Sequence, residues 1–600
     1  MKRLRVPILL ALGLGAFLTA PPVRAALRLP HIFGDNMVIQ RDQPIYVWGW
    51  AKPGAGVRVQ FGPRDLTVRA DAQGRWSMEL DPLPACSLAR SLTVSSDGET
   101  IEYDGVLVGD VWLLGGQSNM EDELRNIYHG DMETASAHYP AIRLMTIPQV
   151  ATPQPRADFE RVNEFNAWAH RYERKGWWFQ CTPRAASRFS AIGYVFGRRL
   201  HLVTGAPIGL IDASWGGTTI EAWTSRKALE AIPEARPLLQ EWDERIAAYD
   251  PQASLRARVE RWKKEAERRK QAGQPPRPKP TEPEPDPAGD RNNPGAAFNG
   301  MIAPFAGFRI KGVIFNQGYN NALGDSRPRL YAKVFQAMIR DWRRAFRNEA
   351  MPFGIIELTA GGEPQTYENF ERSMVDPAPF IREAQFKTWQ ALDHVGFAPA
   401  YDQQVPWYHP HKKLLLGERM ARWALHDYYG YEELGWQPAV CVKWEKQDDH
   451  FILAFDRAVR AHDGRPFEGF AIAGADRHFY PARAEFLVVG KDERGRDRRD
   501  ESRLKVWSPL VKEPAAVRYA WARNPLGNAV NGSHYERIIP ICSFRTDNWD
   551  WPEAPFKSEG QEAVNAHRRK ISEMRRQAAA WAKQRAVEEA QLVLEKTGAK

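Results

Sequence analysis

The stretch VLVGDVWLLGGQSNM at residues 106–120 decides the fold. Its first part is an apolar run of strand length, which is typical of a strand buried on both faces of a parallel sheet. It ends in two glycines, a glutamine and Ser118, where a serine hydroxyl can be exposed and backbone N–H groups can face an oxyanion. On its own, Gly-Gln-Ser-Asn favours an ordinary turn, and Met120 departs from the G-x-S-x-G elbow of the α/β-hydrolases.

Apolar strands alternate with amphipathic helices from residue 108 to residue 435. The strand candidates that follow the serine are APIGLIDAS (206–214), KGVIFNQG (311–318), FGIIELT (353–359) and VGFAPAYD (395–402). This alternation predicts an α/β domain whose parallel sheet is covered by helices on both faces. Ligands of such sheets bind at the carboxyl ends of the strands, so we expect a functional site at that edge.

Two regions with β patterning flank the α/β region. Residues 27–107 consist of short strands separated by Pro-Gly, Gln-Gly and Asp-Gly turns, and residues 436–549 return to β patterning. Each region predicts a β-sandwich, and residues 550–600 predict a charged helical tail. A charged helix and a Pro-rich segment at residues 226–297 interrupt the α/β pattern. They predict a solvated insertion, with a lid or a partner surface as the alternative.

The first 25 residues have the three parts of a secretory signal peptide. MKRLR is basic, VPILLALGLGAFL is apolar, and VRA, which ends at Ala25, is a small-residue cleavage site. The apolar run is shorter than the roughly 18 residues that cross a bilayer, and no later stretch is a candidate span. We therefore predict an exported, soluble mature protein, periplasmic if the source cell has two membranes.

Charge and cysteine spacing argue against nucleic-acid and metal binding. The formal charge is +9, but no basic stripe interleaved with exposed aromatics stands out, so no nucleic-acid partner is expected. The chain has four cysteines, Cys86, Cys181, Cys441 and Cys542. Their spacing is not that of metal ligands. An oxidising compartment permits disulfides, and the three ways of pairing four cysteines stay open.

Three further segments carry groups that acyl-transfer chemistry uses. SWGGTTIEAW (214–223) provides free N–H groups around Gly217, although paired glycines also make plain tight turns. NQGYNN (316–321) offers the amide of Asn321, although a loop asparagine is commonly a turn former. YHPHKK (408–413) contains His409, although an isolated histidine is more often structural than catalytic.

With these blocks in this order, the chain resembles the sialate O-acetylesterase family of SGNH hydrolases over most of its mature length. Blocks that carry the resemblance are IFGDNMVIQ (32–40), VLVGDVWLLGGQSNME (106–121), APIGLIDASWGGTTIEAW (206–223), FNGMIAPFAGFRIKGVIFNQG (298–318) and HPHKKLLLGERMARWAL (409–425). The resemblance implies an SGNH-type, flavodoxin-like catalytic domain of three layers with a parallel sheet. N- and C-terminal β-sandwich domains would flank it.

The resemblance also implies roles for individual residues. Ser118 would attack an acetyl carbonyl, and His409 would take its proton and later deliver it to the leaving sugar alcohol. The N–H groups of Ser118 and Gly217 and the side-chain amide of Asn321 would hold the oxyanion. This chemistry would need no metal and no organic cofactor. Candidate substrate contacts are Gln117, Gln317, Tyr319 and Trp407.

Two positions depart from the family pattern. The family's Gln-Gly-Glu-Ser-Asn block reads Gln-Gly-Tyr-Asn-Asn here, with Tyr319 in place of the glutamate. The aspartate that the family places two residues before its catalytic histidine is Trp407 here. Loss of the orienting carboxylate of a serine triad costs about 10⁴ in kcat. A backbone carbonyl could orient His409 in a Ser–His dyad, Asp402 could serve as the acid, or esterase activity could be lost.

These observations lead to a prediction of an exported serine esterase that removes O-acetyl groups from carbohydrates. The substrate would be an acetylated carbohydrate, such as sialic acid or a plant or algal polysaccharide. The alternative is a catalytically impaired relative that binds glycans without cleaving them. In that case the aromatic rings of Tyr319 and Trp407 would stack on sugar rings.

Overall fold

The computed structural model describes residues 26–166 and 171–597. Over these residues the protein is a mixed α/β structure, in which a large mixed sheet is packed against helices and accompanied by smaller β-sheets. The α/β class predicted from the sequence is thereby confirmed. The predicted signal peptide at residues 1–25 lies outside the described residues, so export stays a prediction.

Short strands joined by tight turns form the N-terminal part of the chain. The buried side chains of Val57, Val59 and Phe61 alternate with less buried ones along one strand, which is the pattern of a sheet with one covered face. These strands are β1 (Val38–Gln40), β2 (Ile45–Trp50), β3 (Gly56–Phe61), β4 (Arg64–Arg69), β5 (Arg75–Leu80), β6 (Cys86–Ser96) and β7 (Glu99–Gly116). β2 pairs with β5, and β3 pairs with β4 and β6.

Strand β7 is 18 residues long and belongs to two regions at once. Its first half pairs with β6 and its middle, at Leu107–Gly109, pairs with β1, whereas its second half is a central strand of the large sheet. The strand therefore runs through residue 107, at which the sequence pattern placed the end of the first β-sandwich.

The rest of the α/β region alternates strands and helices. Its strands are β8 (Tyr139–Thr146), β9 (Val162–Asn166), β10 (Arg171–Lys175), β11 (Trp178–Cys181), β12 (Ile208–Ser214), β13 (Gly312–Asn316), β14 (Phe353–Ile356) and β15 (Val395–Ala398). Its helices are α1 (Ser118–Glu121), α2 (Gly130–Ala135), α3 (Pro183–Ala186), α4 (Ala191–Thr204), α5 (Arg226–Glu230), α6 (Arg236–Ala247), α7 (Pro251–Gln271), α8 (Pro328–Ala345), α9 (Phe370–Met374), α10 (Ala378–Ala391) and α11 (Leu414–Tyr429).

The main path of the large sheet has the order β11-β8-β12-β7-β13-β14-β15. Neighbours from β8 to β15 along this path are parallel, and β11 is antiparallel to β8. All residues of β12 and β13 are buried, because helices cover both faces of the sheet. This double burial explains why the strands are continuous apolar runs in the sequence.

Successive residues of β7 pack into different hydrophobic clusters. Val111 and Leu113 join the cluster that contains the buried face of α8. Trp112 and Leu114 join the cluster that contains α4 and α11, where the indole rings of Trp112 and Trp423 meet edge to face at 6.1 Å. The two helix layers are thus tied to one another through alternate side chains of a single strand.

The predicted insertion consists of α5, α6, α7 and a Pro-rich return segment. None of the residues of α7 is buried, as its charged sequence indicates. The segment after α7 packs back along it, since Trp262 Nε1 donates to the carbonyl of Arg277 (2.8 Å) and Arg258 donates to the carbonyl of Glu282 (3.0 Å). The Pro-rich segment therefore has an extended path supported by the helix.

The C-terminal part of the chain is built from antiparallel sheets and a long helix. Side chains of these sheets share a buried cluster that includes Leu453, Val506 and Tyr519, and the Trp581 ring of the helix stacks on His478 at 4.0 Å. The elements are β16 (Cys441–Lys446), β17 (His450–Phe455), β18 (Val459–Ala461), β19 (Phe470–Ala473), β20 (Phe479–Pro481), β21 (Arg483–Lys491), β22 (Asp497–Trp507), β23 (Ala516–Tyr519), β24 (Ala529–Asn531), β25 (Phe544–Arg545) and α12 (Gln561–Thr597).

All four cysteines are free thiols in this structure. Cys86 is half-buried, whereas Cys181, Cys441 and Cys542 are buried. In the part of the chain that the structure describes, no helix is both long enough and apolar enough to cross a membrane.

We predict that Gly116→Ala severely destabilises the protein. Gly116 has φ +121°, and a Cβ at this position would lie 2.1 Å from the carbonyl oxygen of Asn316. Both the backbone conformation and the contact exclude a side chain, so we expect a loss of at least about 3 kcal/mol in unfolding free energy. Denaturant unfolding would measure it.

Gly289→Ala is the matched control, because a Cβ there meets no atom within 4 Å. Its unfolding free energy should stay within about 0.5 kcal/mol of the parent value. Equal stability of the two variants would contradict the tight turn at Gly116.

Candidate functional site

Three parallel strands end level with one another at the edge of the large sheet. Gly116, the last residue of β7, is paired with Ser214 of β12 on one side and with Asn316 of β13 on the other. The segments that follow these strands contain Ser118, Gly217 and Asn321. The structure therefore brings three of the predicted site residues to the same edge.

A tight turn places Ser118 at the start of a short helix. The Gln117 N–H donates to the carbonyl of Asn316 (2.9 Å), and α1 begins at the next residue. Among the described residues, no acceptor takes the backbone N–H of Ser118, because the first N–H groups of a helix lack intrahelical partners. That N–H is available to an anion next to the serine hydroxyl.

The glycine turn lies directly against Ser118. A Cβ built on Gly216 would be 3.2 Å from the Cβ of Ser118. The Gly216 N–H donates to the Glu121 carboxylate (2.6 Å), which also accepts from Gln149 (2.8 Å). Burial raises the pKa of the Glu121 carboxyl. Glu121 thus ties the glycine turn to the helix that carries the serine.

The end of the insertion holds the same turn from outside. Arg291 donates to the carbonyl of Gly216 (2.8 Å). The side chain of Asn292 donates to the carbonyl of Gly217 (3.0 Å) and accepts from the N–H of Thr219 (2.8 Å). Gly217 has φ +77°, and its N–H has no acceptor among the described residues. The carbonyls of the turn are occupied, and the predicted oxyanion donor is free.

The amide of Asn321 is engaged within the protein. Its Nδ2 donates to the Glu221 carboxylate (3.0 and 3.3 Å), and its Oδ1 accepts from Gln317 (2.8 Å) and from the N–H of Ile220 (3.0 Å). Its neighbour Asn320 donates to the carbonyl of Gly217. Asn321 is therefore next to the glycine turn, but its role as an oxyanion donor stays a prediction.

A buried lysine joins the histidine loop to the serine helix. Lys413 Nζ donates to Asn119 Oδ1 (2.8 Å) and is 3.3 Å from the Asp122 carboxylate. Asn119 Nδ2 in turn donates to the carbonyl of Tyr408 (3.3 Å). Residues on both sides of His409 are thus bonded to residues of the segment that begins at Ser118.

The ring of His409 makes no hydrogen bond within the described residues. The rings of His409 and Trp407 are edge to face, with 6.3 Å between their centroids. Burial lowers the pKa of the His409 imidazole, the charges of Lys413 and His411 lower it further, and Asp122 opposes them. The imidazole is therefore held neutral to lower pH than an ordinary histidine, which is the protonation state of a general base.

The carboxylate of Asp402 is paired with an arginine. Arg419 donates to both of its oxygens (2.9 and 2.5 Å), and no hydrogen bond joins Asp402 to His409 in the described chain. Glu357, another acid near this loop, accepts from the N–H of Ala400 (2.9 Å), and burial raises its pKa to about 7. Asp122 affects the His409 pKa through its charge alone. The structure therefore does not bring an orienting acid to the histidine.

The four candidate substrate contacts fall into two groups. Gln117 and Gln317 are 3% and 2% exposed, and their side chains bond to the backbone of the neighbouring segments, at Gly318 and Thr218 respectively. Trp407 is 54% exposed. The ring of Tyr319 is half-buried between Arg523 and Tyr408, an exposed neighbour of Trp407.

Sequence reasoning missed Glu121, Lys413 and Asn292. Glu121 stands three residues after Ser118, and Lys413 stands four residues after His409. Their short distance from the predicted catalytic pair was the one available signal. Asn292 gives no signal in the sequence, because it lies at the end of an insertion whose charged and Pro-rich composition predicts a solvated segment.

Known proteins are similar to this chain in sequence, and a solved structure is similar to it in fold. Sialate O-acetylesterase of Rattus norvegicus is 28% identical over 355 residues, which cover 54% of this chain and 59% of that protein. Sialate O-acetylesterase of Homo sapiens is 25% identical over 398 residues, covering 62% of each. The chain thus spans about three fifths of the length of these curated relatives. No protein-family model matches it.

A solved structure extends the similarity to nearly the whole chain. The crystal structure of a carbohydrate acetylesterase from Xanthomonas citri is 31% identical, with a TM-score of 0.68, and covers 87% of this chain and 100% of that one. Identity of this extent means common descent with a carbohydrate acetylesterase. The chain belongs to the sialate O-acetylesterase family, which confirms the resemblance found in its sequence blocks.

We predict that Lys413→Met raises the pKa of His409. Removing a buried positive charge near the ring favours the imidazolium, and the Asp122 carboxylate is then left unpaired. A rise of roughly half a pH unit to one unit is expected. An NMR titration of the histidine ring, assigned with His409→Gln, would measure it.

Lys412→Met is the control for the loss of a lysine, because Lys412 is the exposed neighbour of Lys413. This variant should leave the pKa of His409 within about 0.2 units of the parent value, because solvent and salt screen the charge of an exposed lysine. An unchanged His409 pKa in the Lys413→Met variant would show that Lys413 does not control the protonation of the His409 imidazole.

Asp402→Asn separates a structural acid from a catalytic one. Because Arg419 occupies the carboxylate, we expect a loss of about 1.5–3 kcal/mol in unfolding free energy. The kcat on 4-nitrophenyl acetate should fall less than ten-fold, well short of the roughly 10⁴ typical of a triad acid. A loss near 10⁴ in folded protein would instead assign Asp402 to a triad.

Proposed function

We propose that this protein is an exported serine esterase that removes O-acetyl groups from carbohydrates. The observation that carries the proposal is the position of Ser118. It begins a helix just after β7 and lies against Gly216 of the glycine turn, and hydrogen bonds join its helix to the loop of His409. Family membership and the proposed SGNH-type three-layer layout with flanking β-sandwiches support the same chemistry.

In the proposed mechanism, Ser118 attacks the acetyl carbonyl while His409 accepts the hydroxyl proton. The N–H groups of Ser118 and Gly217 stabilise the tetrahedral oxyanion, and the Asn321 amide would join them if it turned from Glu221. His409 then protonates the leaving sugar alcohol. Water repeats the attack on the acetyl-enzyme with His409 as base, which releases acetate and restores Ser118.

The reaction would rely on a Ser–His dyad. No acid is bonded to His409 among the described residues, and Trp407 occupies the family's usual acidic position. Burial and the charge of Lys413 favour the neutral imidazole, whereas the acid of a triad would orient the ring and stabilise the imidazolium. We therefore expect slower turnover than in a complete triad. Serine–histidine bonds can also tighten when substrate binds.

The surface beside His409 suits a sugar substrate. Trp407 and Tyr408 are neighbours, with ring centroids 5.5 Å apart, and both are about half exposed. Aromatic rings combine an apolar face with a polar edge, which suits the apolar faces and hydroxyls of sugars. The same surface supports the second candidate function, glycan binding without hydrolysis, because it does not depend on the orientation of His409.

Ser118→Ala tests the esterase directly. Purified parent protein should release acetate from acetylated oligosaccharides and 4-nitrophenol from 4-nitrophenyl acetate. The serine variant should lose at least about 10⁴ in kcat, because the nucleophile is removed. Ser136→Ala is the control, since Ser136 is an exposed serine at the end of α2, and it should retain full activity.

Equal turnover by the parent and Ser118→Ala would overturn the proposed function. If calorimetry then detected binding of an acetylated oligosaccharide, the glycan-binding function would be selected. Loss of activity in both serine variants would point to misfolding, which thermal unfolding would reveal.

A further inference from the structure

A cavity of about 330 Å³ lies between the insertion and the segment that follows β13. The insertion contributes Leu238 and Trp242 from α6 and Asn292 from its end, and the other wall includes Asn321 and Leu323. Cavities that hold small ligands have volumes of about 300–1,000 Å³. This cavity therefore has the volume of a site for a small ligand.

The cavity adjoins the proposed reaction centre. Asn321 lines it, and Asn292, which also lines it, donates to the carbonyl of Gly217. The glycine turn in turn lies against Ser118. The wall supplied by the insertion is fixed to the site at two points, because Arg291 also bonds to that turn. A group bound in the cavity would therefore lie next to an ester held at Ser118.

Its lining combines an aromatic ring with amides. The Trp242 indole is partly exposed, and the Arg245 guanidinium lies 4.7 Å from its centre. The side chains of Asn292, Asn320 and Asn321 add amide groups. Each already bonds within the protein, and only the N–H groups and lone pairs that these bonds leave over can bond to hydroxyls. A flat indole and hydrogen-bonding amides are what a sugar ring needs, since it has an apolar face and a polar rim.

The charges of the lining do not favour an anion. Glu221 and Asp325 are acidic, and Arg327 is the cation of the lining. The Arg327 guanidinium is already engaged, because it donates to the carbonyls of Ala554 (2.8 Å) and Pro555 (2.7 Å). A sugar carboxylate in this cavity would lie near Glu221 and Asp325, and the Arg327 guanidinium that lines it is already bonded to carbonyls, which disfavours an anion.

We propose that this cavity is a subsite for an uncharged sugar unit linked to the unit that carries the acetyl ester. The proposal rests on the proposed esterase function and narrows its substrate to a neutral oligosaccharide or polysaccharide. The insertion is then part of the binding site, with Trp242 as its main contact.

Acetylated cello-oligosaccharides of one, two and four glucose units test the subsite by kinetics. In the parent protein, kcat/KM should rise at least ten-fold from one unit to four. This chain-length ratio should fall about ten-fold in Trp242→Ala, which corresponds to about 1.4 kcal/mol. An inactive fraction of enzyme cancels in the ratio, so partial misfolding does not imitate the effect.

Trp262→Ala is the matched control. Trp262 belongs to α7 of the same insertion, bonds to the Pro-rich segment and does not line the cavity. It should keep the chain-length ratio of the parent protein. A parent protein without chain-length preference, or an equal loss in the two tryptophan variants, would overturn the subsite.

Calorimetry separates the subsite from the esterase proposal. The Ser118→Ala variant should bind acetylated cellotetraose. The double variant Ser118→Ala/Trp242→Ala should bind it about ten-fold more weakly, whether or not the parent protein hydrolyses esters. Acetylated tetragalacturonate, the acidic counterpart, should bind at least ten-fold more weakly. Equal or tighter binding of the acidic oligosaccharide would overturn the uncharged specificity, whereas absent hydrolysis of 4-nitrophenyl acetate would overturn the esterase alone.

Discussion

The parallel pairing of β7 with β12 and β13 is the constraint on which the site depends. Backbone hydrogen bonds fix Gly116 level with Ser214 and Asn316, so the serine turn, the glycine turn and the amide segment emerge at one height. A shift of either neighbour by a residue would turn its buried side chains to the other helix layer. The position of Ser118 is therefore determined by packing across the sheet far more than by its own tetrapeptide.

Sequence patterns predicted the sheet well because its strands are buried on both faces. Continuous apolar runs identified β7, β12, β13, β14 and β15, and the polar segments after them marked the edge with the site. The contacts that complete the site could not be predicted in this way. The Glu121 carboxylate accepts from the Gly216 N–H, and Lys413 donates to Asn119. These partners are 95 and 294 residues apart in the sequence, so the folded backbone decides which groups meet. Asp402 illustrates the converse. It is close to His409 in the sequence, but in the folded chain its carboxylate pairs with Arg419.

The histidine loop shows how a family site can change without losing its frame. An aspartate near a catalytic imidazole orients the ring and stabilises its charged form. Here an aromatic residue takes that position, and the charge of the buried Lys413 ammonium favours the neutral form of the imidazole. The contacts of Lys413 and Asn119 still hold the loop in place. Lys413 thus acts on both the position of the loop and the protonation of the imidazole, but it favours the neutral form, whereas the acid of a triad favours the charged form.

The double membership of β7 has a consequence for how the chain can be divided. Removing the strands before it would uncover one edge of β7 from Glu99 to Val108, where β6 pairs, and the other edge at Leu107–Gly109, where β1 pairs. Exposed strand edges of this kind recruit other chains and promote aggregation. The N-terminal strands therefore act as edge protection for the strand that carries the serine, and the two regions should unfold in one cooperative step. An evolutionary or engineered exchange of this module would have to preserve a continuous β7.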